Sequence, residues 1–290
     1  MPAPFLIGAH MSVAGGLHCA IGHAVRHQFT CVQLFTHSPR VWTLPPFDKV
    51  AAATFQAARR NAGIICVVVH APYLPNCAST DAALWARSCA AIAHDLRIAD
   101  AIGADYFVMH PGSARGAAPA TAIQRVADAL LRLHAVHPWH CTFLLENTAG
   151  GGSLLGASFG ELHAIINTVW QSAPTARLGI CLDTAHAHAA GMDLCSDAGL
   201  ASVCASLAHT LRTDALRLIH CNDTTVMRGA RRDLHAHISK GRIGAHGFQL
   251  LLAQPFLRTL PWILETPKDT ARSDTRNANL LRKWFAQHCS

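Results

Sequence analysis

Eight short runs of apolar, β-branched and aromatic residues recur along this 290-residue chain, and a stretch rich in alanine and leucine separates each run from the next. The runs are Phe5–His10, Phe29–Phe35, Ile64–His70, Tyr106–His110, Thr142–Glu146, Leu178–Asp183, Leu216–His220 and Trp262–Glu265. The steps between their last residues range from 25, between positions 10 and 35, to 45, between positions 220 and 265. Each step is close to one strand-plus-helix unit, which needs roughly 30 residues. This recurrence predicts a single (β/α)8 TIM barrel, one α/β domain over residues 1–290.

Helix start and stop signals occupy the gaps between these runs. Ser79-Thr80-Asp81 precedes a predicted helix over 82–101 that ends before Gly103, and a predicted helix over 48–61 ends before Gly63. A doubly wound open sheet is the competing α/β architecture. It is disfavoured because no Gly-x-Gly-x-x-Gly follows the first run and the sequence contains no P-loop.

Composition constrains the partners and the compartment. Lys and Arg total 24 against 17 Asp and Glu, a net charge of +7 that favours polyanionic partners. No uncharged apolar stretch approaches the roughly 18 to 20 residues of a membrane helix, and Met1–Phe5 lacks the basic region of a signal peptide. We therefore expect a cytoplasmic protein without a membrane partner. Its eleven cysteines, none in a Cys-x-x-Cys pair, are expected to be reduced and largely buried.

The twenty histidines are far more than ordinary usage, and several of them stand where a run ends. In a barrel of this kind the carboxyl ends of the strands form one mouth, where active sites lie. Six of the eight runs end in a side chain that can bind a metal: His70, His110, Glu146, Asp183, His220 and Glu265. One alone could be a polar residue satisfied at a strand end. Several in one concave mouth must be paired or metal-bound to offset their desolvation.

Two later segments extend this set to nine candidate ligands. His186 follows Asp183 by three residues, and Asp233 and His235 share one face of an extended part of the long loop after the seventh run. His237 shares that face in an ambiguous role. No cysteine is among the nine ligands, which disfavours a closed structural zinc site. Four carboxylates in one mouth would repel each other and take up protons unless cations compensated them. Nine ligands suit about three ions, as in sites that hydrolyse phosphate esters.

An ordered series of motifs carries a resemblance to a known family. The motifs are Gly8–Gly16, Phe35-Thr36 with Arg40 and Trp42, His70–Leu74, His110–Ser113, Glu146–Gly150, Gly179–His186, His220–Asp223, Asp233–His235 leading to Gly241–Gly244, and Leu264–Thr266. No single motif is decisive, but the ordered set is highly specific. The chain resembles endonuclease IV, the zinc-dependent abasic-site nuclease family of DNA repair, over nearly its whole length.

The resemblance implies three zinc ions at the ligands identified above. It places the first at His70, His110 and a bridging Glu146, the second at Glu146, Asp183, His220 and Glu265, and the third at His186, Asp233 and His235. It also implies hydrolysis of the phosphodiester on the 5′ side of an abasic site, which leaves a 3′-hydroxyl, and removal of blocking groups from 3′ ends. Glu146 is then the carboxylate best placed to deprotonate the attacking water, and no added Mg2+ is expected to be required.

By the same resemblance, the partner is double-stranded DNA containing abasic sites. A monomer is expected because one enclosed barrel has no evident need of a partner chain. Arg40, Tyr73 and Leu74 are expected to enter the duplex and fill the space left by the flipped abasic sugar. The alternative is that Tyr73 and Leu74 merely cover a loop. His10 is expected to support the site or contact the sugar without binding a metal. A group of basic residues either contacts phosphates or belongs to a solvated loop: Arg228, Arg231, Arg232, Lys240 and Arg242.

Several positions depart from the family pattern. Thr224-Thr225 stands where a Ser-Lys pair is more often found, Leu234 where Arg is usual, Ser239 where Gly is usual, and Pro75 where Ile is common. None of these departures removes a ligand. They bear on the DNA footprint and on secondary lesions more than on the central chemistry.

Two other functions compete with the nuclease. A sugar isomerase or epimerase on the same kind of metal-dependent barrel needs one or two ions, and it leaves His186, Asp233 and His235 unexplained. A catalytically inert DNA-binding protein stabilised by zinc would be expected to have lost some ligands. Metal stoichiometry separates the first rival from the nuclease, and turnover separates the second.

Overall fold

The computed structural model describes residues 4–137, 139–210 and 215–288. Its strands are β1 Ile7–His10, β2 Cys31–Leu34, β3 Cys66–His70, β4 Tyr106–Met109, β5 Thr142–Glu146, β6 Leu178–Asp183, β7 Leu216–His220, β8 Asp223–Thr224, β9 His235–Ala236 and β10 Trp262–Leu264. Its helices are α1 Cys19–Arg26, α2 Lys49–Ala62, α3 Ala82–Ile102, α4 Pro119–Val136, α5 Phe159–Ser172, α6 Thr184–Ala190, α7 Asp197–Thr210, α8 Gly244–Ala253, α9 Pro255–Arg258 and α10 Ser273–Ala286. The described residues do not include the limits of the predicted domain, residues 1 and 290. They also do not include positions 1–3 of Met1–Phe5, the segment in which no signal peptide is expected.

Eight of the strands close into a barrel in which every neighbouring pair is parallel. The order around the barrel is β1 to β7 and then β10, which pairs again with β1. The prediction of a (β/α)8 barrel is therefore confirmed, and the open doubly wound sheet is excluded. Each predicted run contains one barrel strand, and each strand ends within one residue of the predicted position.

Two apolar layers form the core. The barrel interior is filled by Cys31, Cys66, Val68, Val108, Leu144, Cys181, Leu218 and Ile263. A larger layer between strands and helices includes the fully buried rings of Phe55, Phe107 and Trp262. All ten cysteines in the described ranges are free thiols, and seven of them are buried. Within the same ranges, no helix combines the length and the apolar character needed to cross a membrane.

The predicted helix signals act as expected. The Asp48 carboxylate accepts backbone N–H bonds at the start of α2, and Asp81 does the same for α3. Gly63 and Gly103 end these helices with φ of 67° and 70°, a left-handed conformation that costs glycine little. The starts of these helices set the lengths of the loops that reach the mouth of the barrel, whereas their ends border the loops at the opposite face.

Three short elements near the mouth were not predicted. Helix α6 begins directly after β6, and strands β8 and β9 pair antiparallel, with Thr224 opposite His235. This small hairpin joins the beginning of the long loop after β7 to its later part. It thereby brings His235 back to the barrel mouth.

Candidate metal centre

The period-two alternation of the strands directs six ligand positions into the barrel mouth. These positions are His70, His110, Glu146, Asp183, His220 and Glu265. The residues two positions earlier all belong to the interior layer: Val68, Val108, Leu144, Cys181, Leu218 and Ile263. Because side chains at i and i+2 point to the same face of a strand, each ligand continues an interior row at its carboxyl end. The site is therefore the polar top of the barrel core.

Glu146 lies at the centre of this cluster and is fully buried. Its Oε2 is 3.1 Å from Nε2 of His70 and 3.1 Å from Nε2 of His110. Its Oε1 is 3.2 Å from Nδ1 of His186 and 3.0 Å from Nδ1 of His220. One carboxylate thus contacts four imidazoles, two through each of its oxygens.

Asp183 links two parts of the centre. It ends β6 and also caps α6, where its Oδ1 accepts the backbone N–H of His186 at 2.7 Å. Its Oδ2 lies 3.7 Å from Nε2 of His235. Glu146, Asp183, His220 and Glu265 place one ligand atom each within 4.8 Å of one another. No loop separates the end of β6 from the start of α6, so His186 is held firmly beside the carboxylates.

The two ligands predicted in the long loop join this cluster. The carboxylate of Asp233 lies 3.2 Å from Nε2 of His186 and 3.2 Å from Nε2 of His235. Asp233 itself remains about half exposed at the rim. All nine predicted ligands thus meet in one mouth. His237 does not join them, because its Nε2 faces Asp269 and its Nδ1 faces Asn277.

Backbone carbonyls orient the imidazoles. Nδ1 of His70 donates to the Ala71 carbonyl at 2.7 Å, and Nδ1 of His186 donates to the Asn147 carbonyl at 2.9 Å. A carbonyl only accepts, so Nδ1 carries the proton in each neutral ring and Nε2 presents its lone pair. Metal-binding histidines characteristically donate their other N–H in this way.

The outer polar residues were missed in the sequence. Gln33 is fully buried, accepts the Nε2–H of His220 at 2.7 Å and donates to Glu265 at 2.5 Å. Asn147 and Asn222 bond Asp183 through side-chain amides. The sequence contains a signal for Gln33. It follows the interior residue Cys31 by two positions, and each strand-end ligand also follows an interior residue by two positions. Asn147 directly follows Glu146, and Asn222 follows His220 by two positions. In both motifs, only the metal ligands were assigned roles from the sequence.

Two orphaned nitrogen atoms test whether cations fit. Nε2 of His186 and Nε2 of His235 are buried and have no hydrogen-bond partner among the described residues. Nδ1 of His235 lies 3.2 Å from the Glu265 carbonyl, so in each ring Nε2 is the free nitrogen. In the neutral rings, both Nε2 lone pairs face the carboxylate of Asp233. Imidazole and carboxylate ligands without cysteine fit zinc in an open site.

In the metal-free chain, protons on the imidazoles supply part of the positive charge that cations would supply. Burial alone would lower the pKa of His186, but Asp183, Asp233 and Glu146 outweigh it and raise that pKa well above the usual value. Burial also opposes protonation of His235, yet Asp183 and Asp233 raise its pKa to about 9. The carboxylates show the reverse effect, since nearby imidazoles hold the pKa of Glu146 well below its usual range despite burial. The site thus strongly favours positive charge between its carboxylates.

A cleft of about 310 Å³ opens beside the ligands. It is lined in part by His70, His110 and Asp233 and on one side by Tyr73 and Leu74. Tyr73 is 64% exposed, which is unusual for an aromatic ring. The ring therefore borders the ligands and still presents most of its surface to solvent.

An aromatic platform supports Tyr73. Its ring packs edge-on against Phe35 with centroids 5.4 Å apart, and Phe35 lies 4.3 Å from the ring of His10. Nδ1 of His10 is 3.8 Å from Oε1 of Glu265 and within hydrogen-bond distance of Gln33, at 3.0 Å. His10 therefore lies at the mouth next to a ligand, as expected. Arg40 is exposed on the loop after β2.

The departures from the family pattern have distinct places. Thr224 is buried and donates to the Leu234 carbonyl at 2.7 Å, which leaves Thr225 as the exposed member of that pair. Ser239 has φ of 70°, a left-handed conformation that explains why Gly is usual there. Arg228 forms an ion pair with Asp193 at 2.7 Å. The other basic residues of this loop are exposed: Arg231, Arg232, Lys240 and Arg242.

Known proteins resemble this chain over nearly its full length. The family model described as xylose isomerase-like TIM barrel matches residues 21–288. The probable endonuclease 4 of Methanoculleus marisnigri is 39% identical over 279 residues, covering 96% of this chain and 98% of that protein. The crystal structure of endonuclease IV from Thermus thermophilus superimposes with a TM-score of 0.86 at 33% identity, covering 98% of this chain and 100% of that one. A D-tagatose 3-epimerase-like protein has a TM-score of 0.73 at 17% identity, covers 98% of both chains and shares the fold alone.

Proposed function

This chain belongs to the endonuclease IV family, and we propose that it hydrolyses the DNA phosphodiester on the 5′ side of an abasic site. It is a DNA-repair hydrolase that cleaves phosphodiester bonds at such sites. The products are a 3′-hydroxyl and a 5′-deoxyribose phosphate, and the same site removes blocking groups from 3′ ends. The observation that carries the proposal is the convergence of nine ligands on one barrel mouth.

Three zinc ions are the proposed cofactors. The first is assigned to His70, His110 and Glu146, the second to Glu146, Asp183, His220 and Glu265, and the third to His186, Asp233 and His235. Support comes from the free Nε2 atoms of His186 and His235, which a cation would satisfy. Bound zinc lowers the pKa of water toward neutrality and neutralises phosphate charge.

Glu146 is the proposed proton acceptor. The surrounding imidazoles outweigh burial and keep the pKa of Glu146 well below its usual range, so its carboxylate is ionised at neutral pH. Because zinc, when bound, lowers the pKa of the attacking water, an ionised carboxylate at the centre of the mouth can accept its proton in spite of the low pKa of the carboxylate. Gln33 keeps Glu265 and His220 in position through hydrogen bonds to both, which leaves their remaining atoms directed at the centre.

Lesion recognition is assigned to the residues beside the cleft. An unpaired abasic sugar leaves the duplex at low cost, and the space that it vacates must be filled. Tyr73, supported by Phe35, and Leu74 border the cleft that contains several of the ligands. Inserting the exposed Tyr73 ring into the stack would bury its apolar surface, as wedge residues do elsewhere. Arg40 is the proposed third contact.

The sugar isomerase or epimerase is the weaker proposal. Its chemistry needs one or two ions, whereas His186, Asp233 and His235 form a third ligand set here. The epimerase-like structure supports only the fold, since it is 17% identical to this chain. We further propose that residues 1–290 form one domain that acts as a monomer.

Incision of a defined duplex tests the function. The substrate is an end-labelled duplex with one tetrahydrofuran analogue of an abasic site, in buffer without added Mg2+, beside an undamaged duplex. We expect a single cut 5′ to the analogue and a 3′ end that a polymerase extends. A lyase cannot act on this analogue and an isomerase leaves it intact. No cutting by zinc-loaded protein would contradict the proposal.

The double variant Tyr73→Ala, Leu74→Ala tests the wedge. Losing a stacking ring costs about 1 to 3 kcal/mol, so we expect roughly fivefold to a hundred-and-fiftyfold weaker binding of abasic duplex. Zinc content is expected to stay unchanged. Gel-shift titration measures the affinity, and Phe256→Ala, an exposed ring on α9 outside the mouth, is the matched control. Unchanged affinity in the double variant would show that these residues only cover a loop.

A further inference from the structure

A second group of potential metal ligands lies outside the proposed catalytic centre. His37, on the loop after β2, meets His94 and Asp95 of α3, and these residues place one ligand atom each within 4.8 Å of one another. None of them takes part in the centre described above. The His94 and Asp95 pair is separated from His37 by more than fifty positions in sequence. The packing of α3 against the loop therefore creates this group.

The buried carboxylate of Asp95 is only half satisfied. Its side chain is 0% exposed, and its Oδ1 accepts a hydrogen bond from Thr36 and lies 3.1 Å from Nδ1 of His37. Its Oδ2 is buried and has no hydrogen-bond partner among the described residues. A buried carboxylate oxygen without a partner is costly, so this atom calls for a cation or a donor.

The His94 ring is held as metal-binding histidines are held. Its Nε2 donates to the Pro45 carbonyl at 2.7 Å, so in the neutral ring the lone pair is on Nδ1. That Nδ1 lies 3.5 Å from Oδ1 of Asp95. This contact is favourable only when a proton on Nδ1 or a cation lies between the two atoms. His70 and His186 show the same carbonyl bond in the catalytic centre.

The spacing of the donors fits a tetrahedral ion. Two ligand atoms that are each about 2.0 Å from such an ion lie about 3.3 Å apart. The distances from Oδ1 of Asp95, the oxygen that also accepts the Thr36 hydrogen bond, are 3.1 Å to Nδ1 of His37 and 3.5 Å to Nδ1 of His94, while the unpartnered Oδ2 adds negative charge to the group. Nδ1 of His37 also lies 3.0 Å from the Thr36 hydroxyl, and an ion would take the place of that contact. The contacts of Glu146 in the catalytic centre cover a similar range, from 3.0 to 3.2 Å.

A comparable group elsewhere lacks these features. Asp100 lies near His137 and His140, but its Oδ1 accepts two backbone N–H bonds and its Oδ2 faces His137 at 2.9 Å. The His140 side chain is 85% exposed. Both oxygens of Asp100 are therefore satisfied without a metal, and this group serves as the matched control.

We propose that His37, His94 and Asp95 bind one further divalent transition-metal ion of the zinc class. The ion anchors the loop between β2 and α2 to α3, because His37 begins the loop and His94 also holds the Pro45 carbonyl near its end. Arg40 lies between these two anchors. The part of the inference that concerns DNA rests on the proposed role of Arg40, whereas metal binding at this group does not.

Zinc content per chain tests the site. The wild-type chain, His37→Gln with His94→Gln, and His137→Gln with His140→Gln are saturated with zinc, separated from free metal and analysed by mass spectrometry. We expect the first double variant to carry one zinc fewer than the other two proteins. Equal zinc in all three would overturn the proposal and assign the positive charge to a proton on His94. If the double variant does not fold, His37→Gln alone is expected to release one zinc to a chelator at least tenfold more readily than the wild-type chain does.

DNA binding supplies an independent readout. We expect the His37, His94 double variant to bind abasic duplex about tenfold more weakly, with unchanged turnover at saturating DNA. Unchanged affinity would remove the anchoring role of the ion. If no protein cuts DNA while the zinc difference persists, the proposed nuclease function fails and the second site stands.

Discussion

Replacing Glu146 by Gln is expected to lower the rate of incision at an abasic site by roughly a thousandfold or more. Loss of a general base alone typically costs a hundredfold to ten-thousandfold. The substitution would also present a neutral amide to the imidazoles that now surround an ionised carboxylate, at 3.0 to 3.2 Å. The amide cannot bridge two cations as a carboxylate does. We therefore expect zinc content to fall together with activity.

A matched carboxylate provides the control for this substitution. Glu161, in the first turn of α5, accepts the backbone N–H groups of Gly156 and Ala157 and is not one of the nine ligands. Glu161→Gln makes the same chemical change, and we expect its rate and zinc content to remain close to those of the wild-type chain. Single-turnover incision with zinc analysis measures both variants. A Glu146→Gln protein that keeps its zinc and cuts within tenfold of the wild-type rate would show that another group accepts the proton.

Removing the metal is expected to destabilise the protein strongly and to change the way its stability depends on pH. An ion present at a thousand times its Kd stabilises the folded state by about 4 kcal/mol. For a chain of this size, each such ion corresponds to a shift in melting temperature on the order of 10 °C. The loss of all bound zinc is therefore expected to exceed the effect of any surface substitution.

The pH dependence of the metal-free protein follows from histidines with raised pKa values. Burial is outweighed by Asp183 and Asp233, so the pKa of His235 rises from 6.5 to about 9, and that of His186 is raised well above 6.5. Their stabilising contribution is fully present below pH 6.5 and is lost as the pH rises through the folded pKa. Zinc requires neutral imidazoles, so its binding strengthens as protons leave. The stability difference between zinc-loaded and metal-free protein should therefore widen from pH 6.5 to 9.

Thermal unfolding of chelator-treated and zinc-reconstituted protein at pH 6.5, 7.5 and 9 measures this difference. In the metal-free state, His235→Gln is expected to flatten the decrease in melting temperature with pH. His237→Gln is the control, because that ring pairs with Asp269 outside the centre. The lowered pKa of His10, which burial causes, affects stability only below about pH 6.5. A melting temperature of the metal-free protein that rises between pH 6.5 and 9 would contradict the assignment.

The ligand positions could be located from the sequence because their placement is a consequence of strand geometry. Val68 and His70 share a face of β3, and Leu144 and Glu146 share a face of β5. Parallel strands in a barrel bring their carboxyl ends to one rim. A metal-binding residue at the end of one apolar run is therefore expected to lie beside the residues that end the neighbouring runs. Gln33 obeys the same rule and could have been found by it.

The sequence by itself determined the barrel, the end of each strand within one residue, and the nine residues that meet at the mouth. The strand ends and the six ligands on them depend on local alternation and on a closed parallel topology, which repeat regularly along the chain, whereas His186, Asp233 and His235 reach the mouth through α6 and the loop that the β8–β9 hairpin folds back. Only the tertiary structure decided which nitrogen of His186 faces the centre, and only it joined His37 to His94 and Asp95. Such contacts depend on distances of a few tenths of an ångström between segments far apart in the chain. Side-chain packing sets those distances, and no periodicity in the sequence encodes them.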